Sequence, residues 1–330
     1  VISTSSTLTG VDAAQLAANL HFLPLDFLRT LDLRAHAQAT AQQALAPLPA
    51  EQDLRFVHDA PRVTASGAEG STHQRWAVIA QKLAWDSEFF GYPVARLDAV
   101  VPLQDSPQVP TAAQLMGPLQ AFLQRAVERK QRYIFAAVDA EHGGLAQALC
   151  ACGFALIETR ATYARSLMDY SYPERFATRL ATADDAETLA HTAADRVNPY
   201  DRFHADPFID PERADALMRQ WVHASLTQGF ADATVVPSAP QPTAFCTVKY
   251  HRDQWDSWGL RLAQPVLSAV STAYRGWYKK IMSEVSYHLK DLGAEHAYMV
   301  TQVTNRAVIK TWERLGYSFG KAQHIFRIVL

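Results

Sequence analysis

Apolar residues recur at helical spacing through VDAAQLAANLHFLPLDFLRTLDLRAHAQATAQQALA (residues 11–46), and the pattern breaks near Pro24, so two helices are expected there. An amphipathic pair of this kind must bury its stripe, against the body of the protein or against a second subunit in a homodimer. No Lys/Arg-rich polar face suits a membrane surface. DAPRVTASGAEGSTHQ (residues 59–74) is rich in Pro, Gly, Ser and Thr and reads as a linker. Ordered patterning resumes at RWAVIAQKLAWDSEFFGYPVARLDAVV, two strand-like runs around a turn. PTAAQLMGPLQAFLQRAVERKQ then has the period of an amphipathic helix, YIFAAV reads as a buried strand, GLAQALCACGF as a short helix and ALIETRATYARSL as another strand.

The second half opens with RFATRLATADDAETLAHTAADRV, a strand followed by a helix whose acidic first turn suits the helix dipole. A polar loop, a helix (DPERADALMRQWVHASL) and strands at ATVV, TAFCTVKY and PVLSAV follow. The helix YKKIMSEVSYHLKDL stops at Gly293, and HAYMVT, NRAVIKTWERL and HIFRIVL complete the chain as strand, helix and strand. Strands and helices mixed in this order predict an α/β (α+β) fold with a mostly antiparallel sheet. One frame occurs twice: strand, helix, Gly-aromatic, strand. Tyr133 precedes Gly153 by 20 residues and Tyr298 precedes Gly316 by 18, and an aromatic, Tyr163 or Phe326, lies ten residues after each glycine. Two structurally related halves are expected.

Composition narrows the classes. In 330 residues, 48% are hydrophobic and 19% charged, an ordinary globular profile long enough for about two domains. The formal net charge of −2 gives no basic field for nucleic acid. Cys150, Cys152 and Cys246 form neither a disulfide framework nor a CxxC motif, which suits a reducing cytoplasm. No apolar run approaches the roughly 18 residues of a transmembrane helix. The opening VISTSSTLTG has neither a positive n-region nor a continuous apolar core, so no signal peptide is expected. The histidines are scattered, without HxxxH or HExxH spacing, so no metal site is expected.

PVLSAVSTAYRGWYKKIMSEV followed by NRAVIKTWERLGY resembles the GNAT superfamily of N-acetyltransferases. That resemblance implies a splayed sheet whose V-shaped gap holds acetyl-CoA, with the pyrophosphate cradled where a loop enters a helix. Gly276 falls on the central Gly of the family's Q/R-x-x-G-x-G/A loop, and Asn305, Val308, Ile309, Glu313, Gly316 and Tyr317 match its distal Asn motif. The order WDSEFFG, a degenerate half-domain, RFHADP and the Asn motif is similar to the TDP-4-amino-sugar N-acetyltransferases of the TDP-fucosamine acetyltransferase type, over roughly residues 80 to 330. The implied organisation is a helical extension (1–58), a linker (59–74), a degenerate GNAT-like domain (75–172) and a GNAT acyltransferase domain (173–330).

By the same resemblance, Val270, Ser271, Arg275, Gly276, Trp277, Tyr278, Asn305 and Trp312 would hold acetyl-CoA. Asn305 also has the position of a plain helix N-cap, and Gly276 that of a turn glycine. Arg202, Trp85 and Phe89 would meet the acceptor, and His204 or Asp206 would take the proton of its amine. In the bland alternative Asp206 merely begins a helix, His204 is a surface residue, and WDSEFFG is core aromatics with a turn. Two departures stand out. The loop carries Ala273 and Tyr278 where the family keeps Q/R and a small residue, so a Tyr side chain is expected to crowd the phosphates. Trp312 stands where many members place the Tyr that protonates the departing thiolate, and an indole is a poor acid. Tyr317 is then the candidate acid, with Tyr298 the other phenol nearby in sequence. The implied activity is direct acyl transfer from acetyl-CoA to the amine of a small molecule, most simply a nucleotide-linked amino sugar. The alternatives are another acyl donor or amine, or an impaired GNAT-like protein used for ligand sensing or assembly.

Overall fold

The computed structural model describes all residues except 1, 2, 6, 7, 9, 24, 29–33, 65, 66, 105, 107 and 197, so the break expected at Pro24 lies outside the described residues. After a short strand β1 (Ser3–Ser5), the N-terminal segment forms helices α1 (Ala13–Ala18) and α2 (Arg34–Leu45). Asp12 caps α1 by accepting from the Gln15 amide. Leu16 and Ala41 from these helices are buried with Val57, Ala77, Ile79, Val101 and Leu103, so the extension covers sheet residues of its own chain.

Residues 59–74, expected as a linker, lie instead mostly in an antiparallel hairpin of β2 (Phe56–Val63) and β3 (Glu69–Lys82), with Val57 opposite Ala77 and Asp59 opposite Arg75. Backbone pairing, and not side-chain burial, orders this polar stretch. The segment WDSEFFG, expected as a turn, forms helix α3 (Ala84–Phe90), which Gly91 ends in the left-handed region. Then come β4 (Val94–Pro102), α4 (Ala112–Glu128), β5 (Tyr133–Asp139), α5 (Gly143–Ala151) and β6 (Ala155–Ser166). The second half runs β7 (Thr178–Leu180), α6 (Ala186–Asp195), α7 (Pro211–Thr227), β8 (Ala233–Pro237), β9 (Ala244–Lys249), α8 (Trp255–Trp258) and β10 (Leu262–Val270). It closes with α9 (Trp277–Asp291), β11 (His296–Gln302), α10 (Arg306–Arg314) and β12 (Ser318–Val329). Among the described residues no helix is long and apolar enough to cross a membrane.

The chain divides into two compact units, residues 1–159 with 322–330, and residues 160–321. The strand order is β1-β2-β3-β4-β5-β12 in the first and β6-β11-β10-β9-β8-β7 in the second. In each, one neighbouring pair is parallel, β4 with β5 and β10 with β11. The core of the first unit packs α4 residues Leu115, Leu119 and Phe122 on Phe56, Leu97, Ile134 and Phe326. That of the second packs Ile281, Val285 and Leu289 of α9 on Val248, Ala263, Ala297 and Met299.

The repeat frame corresponds to β5-α5-β6 and β11-α10-β12, but the last strand of each copy serves the other sheet. β6 pairs antiparallel with β11 from Arg160↔Gln302 to Ser166↔His296, and β12 pairs with β5 from Gln323↔Asp139 to Val329↔Tyr133. The boundary therefore falls inside β6, before the residue 173 that the sequence suggested. Gly316, which ends α10 at φ +82°, has a packing reason as well as a backbone one: a Cβ there would stand 2.7 Å from Nη1 of Arg165, which donates to the Leu315 carbonyl.

A fragment of residues 173–330 would lack β6 and with it Ala161, Tyr163, Leu167 and Tyr170 of the second core. Its β11 edge would be unpaired, and the fragment is expected to aggregate. A 160–321 fragment, by contrast, is expected to elute as a monomer with a cooperative melt, which size-exclusion chromatography and calorimetry would check.

Candidate active site

β10 and β11 are joined in parallel only at Leu262↔His296 and Ala263↔Ala297, after which the two strands part. β10 stays on β9 as far as Val270↔Ala244, with a bulge between Pro265 and Ser268. Pro265 has no amide to donate, and the Thr247 hydroxyl repairs the ladder past it: Oγ1 accepts from Leu267 N at 3.0 Å and donates to Leu267 O at 3.3 Å. Beyond the bulge, the Ser271 amide donates to the Thr243 carbonyl at 2.9 Å. Antiparallel pairing alternates, so Ser268 and Val270 turn their amides and carbonyls away from β9, toward the side β11 has left. On β11 the Leu167 amide donates to Glu295 O, and the same alternation turns Tyr298 and Val300 away from β6. The result is a fork with backbone donors and acceptors along its inner edges. Of the two residues expected to hold acetyl-CoA here, Val270 turns its backbone groups to the open side, whereas the Ser271 amide and, at 2.6 Å, its hydroxyl are committed to Thr243.

The open end of β10 leads through a 3-10 turn (Thr272–Tyr274) to Gly276, the N-cap of α9. Gly276 has φ +89°, no side chain caps the helix, and the first turn carries no acid. A helix N-terminus of this length with its amides uncapped favours an anion. Arg275 and Gly276 are exposed. Trp277 packs edge-on to Tyr274 at 5.7 Å, Lys280 lies 5.0 Å over the Trp277 ring, and Lys279 lies 5.5 Å over that of Tyr172. A further cation comes from α6: Arg196 Nη2 reaches Thr272 Oγ1 at 3.5 Å. No local motif points to Arg196, which lies 76 residues upstream of its partner. The corresponding helix of the first unit, α4, is closed by its own chain, since Gln114 Oε1 accepts from the Thr111 amide at 3.0 Å in a capping box.

The Tyr278 side chain does not crowd the loop. It turns inward, where its hydroxyl accepts from Trp312 Nε1 at 2.8 Å and hydrogen-bonds Ser268, and burial raises its pKa well above the ordinary phenol value. Trp312 is buried among core residues, its ring 5.7 Å from that of Tyr163, so it anchors a phenol and does not line the fork. Tyr317, expected as the acid, is 2% exposed. Its hydroxyl pairs with Ser286 Oγ at 2.9 Å and its ring lies under Arg165, a packing position. Asn305 occupies the N-cap of α10 without making a cap bond. Its amide donates to Thr301 Oγ1 on β11 at 3.1 Å.

The YDRFHADPF loop is internally braced. His204 lies between two carboxylates, with Nδ1 2.8 Å from Asp201 Oδ2 and Nε2 3.1 Å from Asp215 Oδ1. Burial opposes the imidazolium, but both carboxylates favour it and the pKa is raised. With both nitrogens engaged by carboxylates that favour the charged ring, His204 is a clamp between loop and α7 and not a free base. Asp206 is 1% exposed and accepts from the Phe208 amide at 2.9 Å within the loop, and it does not begin a helix, because the N-cap of α7 is Asp210. Arg202 stacks on Phe203 at 4.2 Å. Asn198, at the start of the loop, donates to Gln302 at the end of β11. Trp85 and Phe89 stack on each other at 5.8 Å within α3 of the first unit, whereas every residue gathered at the fork belongs to the second. Among the described residues no group of three or more His, Cys, Asp or Glu side chains is placed to hold a metal.

The fork's closed end was largely missed in the sequence. There Tyr298 Oη donates to Gln264 Oε1 at 2.6 Å, and His251 Nε2 lies 3.4 Å from the same oxygen. Of these, only Tyr298 is a candidate from the sequence. Gln264 and His251 carry no motif.

The His204 clamp has a defined pH dependence. Its folded pKa lies above the unfolded value of about 6.5, so its stabilisation is complete below that pH and is lost as pH rises through the folded value. His204→Gln is expected to cost about 1 kcal/mol at pH 6, discounted for the 44% exposure of Asp215. Thermal melts should show a Tm lower by about 2–4 °C, with the difference shrinking by pH 9.

No protein-family model and no curated protein matches the chain. Solved structures do match. A GCN5-related N-acetyltransferase from Sphaerobacter thermophilus superposes with a TM-score of 0.60 at 10% identity, over 99% of this chain and 95% of that one. The glucosamine N-acetyltransferase region of a fungal multi-domain beta-N-acetylglucosaminidase gives 0.60 at 13% identity, over 99% of this chain, which spans 38% of that protein. A tandem GNAT protein from the clavulanic acid biosynthesis pathway gives 0.50 at 13% identity, over 100% of this chain and 98% of that one. At such identities the likeness is one of architecture, and the chain has the fold of the GCN5-related N-acetyltransferases.

Proposed function

We propose that the second unit is an acyl-CoA-dependent N-acyltransferase, acting by direct transfer on the amine of a small molecule. The observation that carries this reading is the fork between β10 and β11 leading to the uncapped N-terminus of α9. Val270 and Ser268 offer backbone groups to the pantetheine amides, and Gly276 with the first amides of α9 accepts the pyrophosphate, assisted by Arg275 and Arg196. Acetyl-CoA, the donor this fold suggests, supplies an activated thioester. The chain's part is to hold it against an amine, remove the ammonium proton and polarise the carbonyl with backbone amides.

For the acceptor we propose an amino sugar carried on a nucleotide. The order of motifs along the chain supports it, as does the name of one structural neighbour, a glucosamine N-acetyltransferase region. Cytoplasmic residence fits three cysteines that are all free. A second reading, a sensor or assembly subunit that binds acyl-CoA without turnover, rests on the single substitution that puts Trp312 where an acid is expected.

Titration calorimetry with acetyl-CoA tests the first reading. The protein is expected to bind, and Gly276→Glu, which forces a side chain into left-handed backbone and sets a carboxylate at the anion site, should weaken binding at least about tenfold, or ~1.4 kcal/mol. Thiol release in the presence of D-glucosamine and nucleotide-linked amino sugars then separates enzyme from sensor. Binding without thiol release with any amine favours the sensor, and absence of binding overturns both.

A further inference from the structure

The closed end of the fork holds a cluster that neither the CoA-binding elements nor the core requires. Where the ladder stops, at Ala263 and Ala297, the next residues on the two strands are Gln264 and Tyr298, and they are joined by side chains instead of backbone, Tyr298 Oη to Gln264 Oε1 at 2.6 Å. His251 reaches the same oxygen at 3.4 Å and stacks parallel to the Tyr298 ring at 6.3 Å, with Trp258 on another side at 5.5 Å. All four side chains are half-buried, so the cluster is enclosed without being sealed.

His251 is also held at a cost. It is one of two non-glycine residues with positive φ among the described residues, at +54°. The loop that carries it is pinned on both flanks by one indole, since Trp255 Nε1 donates to Tyr250 O and to Leu262 O, each at 2.9 Å. A residue fixed in left-handed backbone by its neighbours is aimed. Its Nε2 is oriented by Gln264, a neutral partner, so unlike His204 it is not clamped between carboxylates.

Its location fits the proton-transfer step. The anion site at α9 adjoins the open end of β10, near Val270. Gln264 is six residues back along the strand, up to about 20 Å from it, toward the point where the strands rejoin. A donor lying along the fork with its phosphates at α9 directs its thioester to this closed end. We propose that His251 is the general base of the transfer, taking the proton from the acceptor's ammonium beside the thioester. This rests on the acyltransferase reading above and adds the residue that reading lacked.

The step balances. R–NH3+ gives one proton to the His251 imidazole. The freed lone pair forms the bond to the thioester carbonyl carbon, the carbon–sulfur bond breaks, and the second nitrogen proton leaves with sulfur as the thiol. His251 then returns its proton to solvent. Burial is the largest influence on His251 and keeps it neutral, lowering its pKa; the Lys249 ammonium acts the same way, while the Gln264 hydrogen bond and the Asp232 and Asp253 carboxylates oppose it. A neutral imidazole near pH 7 is in the form that accepts a proton.

His251→Asn tests the proposal without straining the loop, because Asn tolerates positive φ and keeps polar contacts while losing basicity. His251→Gly suits the same backbone and opens a space for added imidazole. With acetyl-CoA as donor, and D-glucosamine, D-galactosamine and a TDP-4-amino sugar as separate acceptors, the Asn variant is expected to bind acetyl-CoA within threefold of the parent. Its kcat/KM should fall about 100-fold. The Gly variant should regain at least tenfold of its lost rate in imidazole. Turnover of the Asn variant within threefold of the parent, or no imidazole rescue of the Gly variant, overturns the assignment of His251 alone. Turnover by the parent with none of the three amines overturns the proposal, and failure of the parent to bind acetyl-CoA overturns the acyltransferase reading beneath it.

Discussion

The parting of β10 from β11 is the constraint on which the rest of the second unit depends. A strand inside a sheet has hydrogen-bonding groups on both edges, and leaving one edge unpaired in the interior is costly. β10 manages this by keeping β9 along its length, through a bulge that Thr247 completes with its hydroxyl. β11 manages it by keeping β6. Both strands are thus secure on their outer sides, and the inner edges of the fork remain presented to whatever lies between them.

Because β6 comes from the first copy of the repeat and β12 from the second, neither sheet is complete without chain from the other half. The exchange explains why the repeat is visible as a frame and yet does not mark a cleavable boundary. It also fixes Gly316: the turn after α10 must be left-handed, and Arg165 on the incoming strand occupies the space a side chain would take. Within this common plan the two helices that make the parallel crossovers, α4 between β4 and β5 and α9 between β10 and β11, have diverged. Thr111 and Gln114 close the start of α4, while Gly276 leaves that of α9 open, so the same geometry is capped by its own chain in one unit and uncapped in the other.

Tyr278 and Trp312 illustrate how a pair of departures from a family pattern becomes one interaction. Each taken separately looks like a loss, a crowded loop and a missing acid. In the fold the phenol turns away from the loop and accepts the indole N–H, so each substitution satisfies the polar group of the other. His204 shows the converse. A histidine in a polar loop looks like a base until Asp201 and Asp215 are found on both of its nitrogens.

Most elements of the chain, the two-fold frame, Gly276 at the head of α9 and Asn305 at the head of α10 are legible in the amino-acid sequence. These are local matters of period, capping and backbone freedom, which a linear pattern records. It misread the hairpin over residues 59–74, because that polar stretch is ordered by pairing with neighbours and not by its own side chains. It could not have found the meeting of His251 with Gln264, nor that of Arg196 with Thr272, nor the inward turn of Tyr278, nor the burial of Tyr317. Each of these follows from residues distant in sequence meeting across a strand or a helix face. Only the tertiary structure decides such meetings, because the hydrogen bonds and burial that fix them belong to pairs and not to positions.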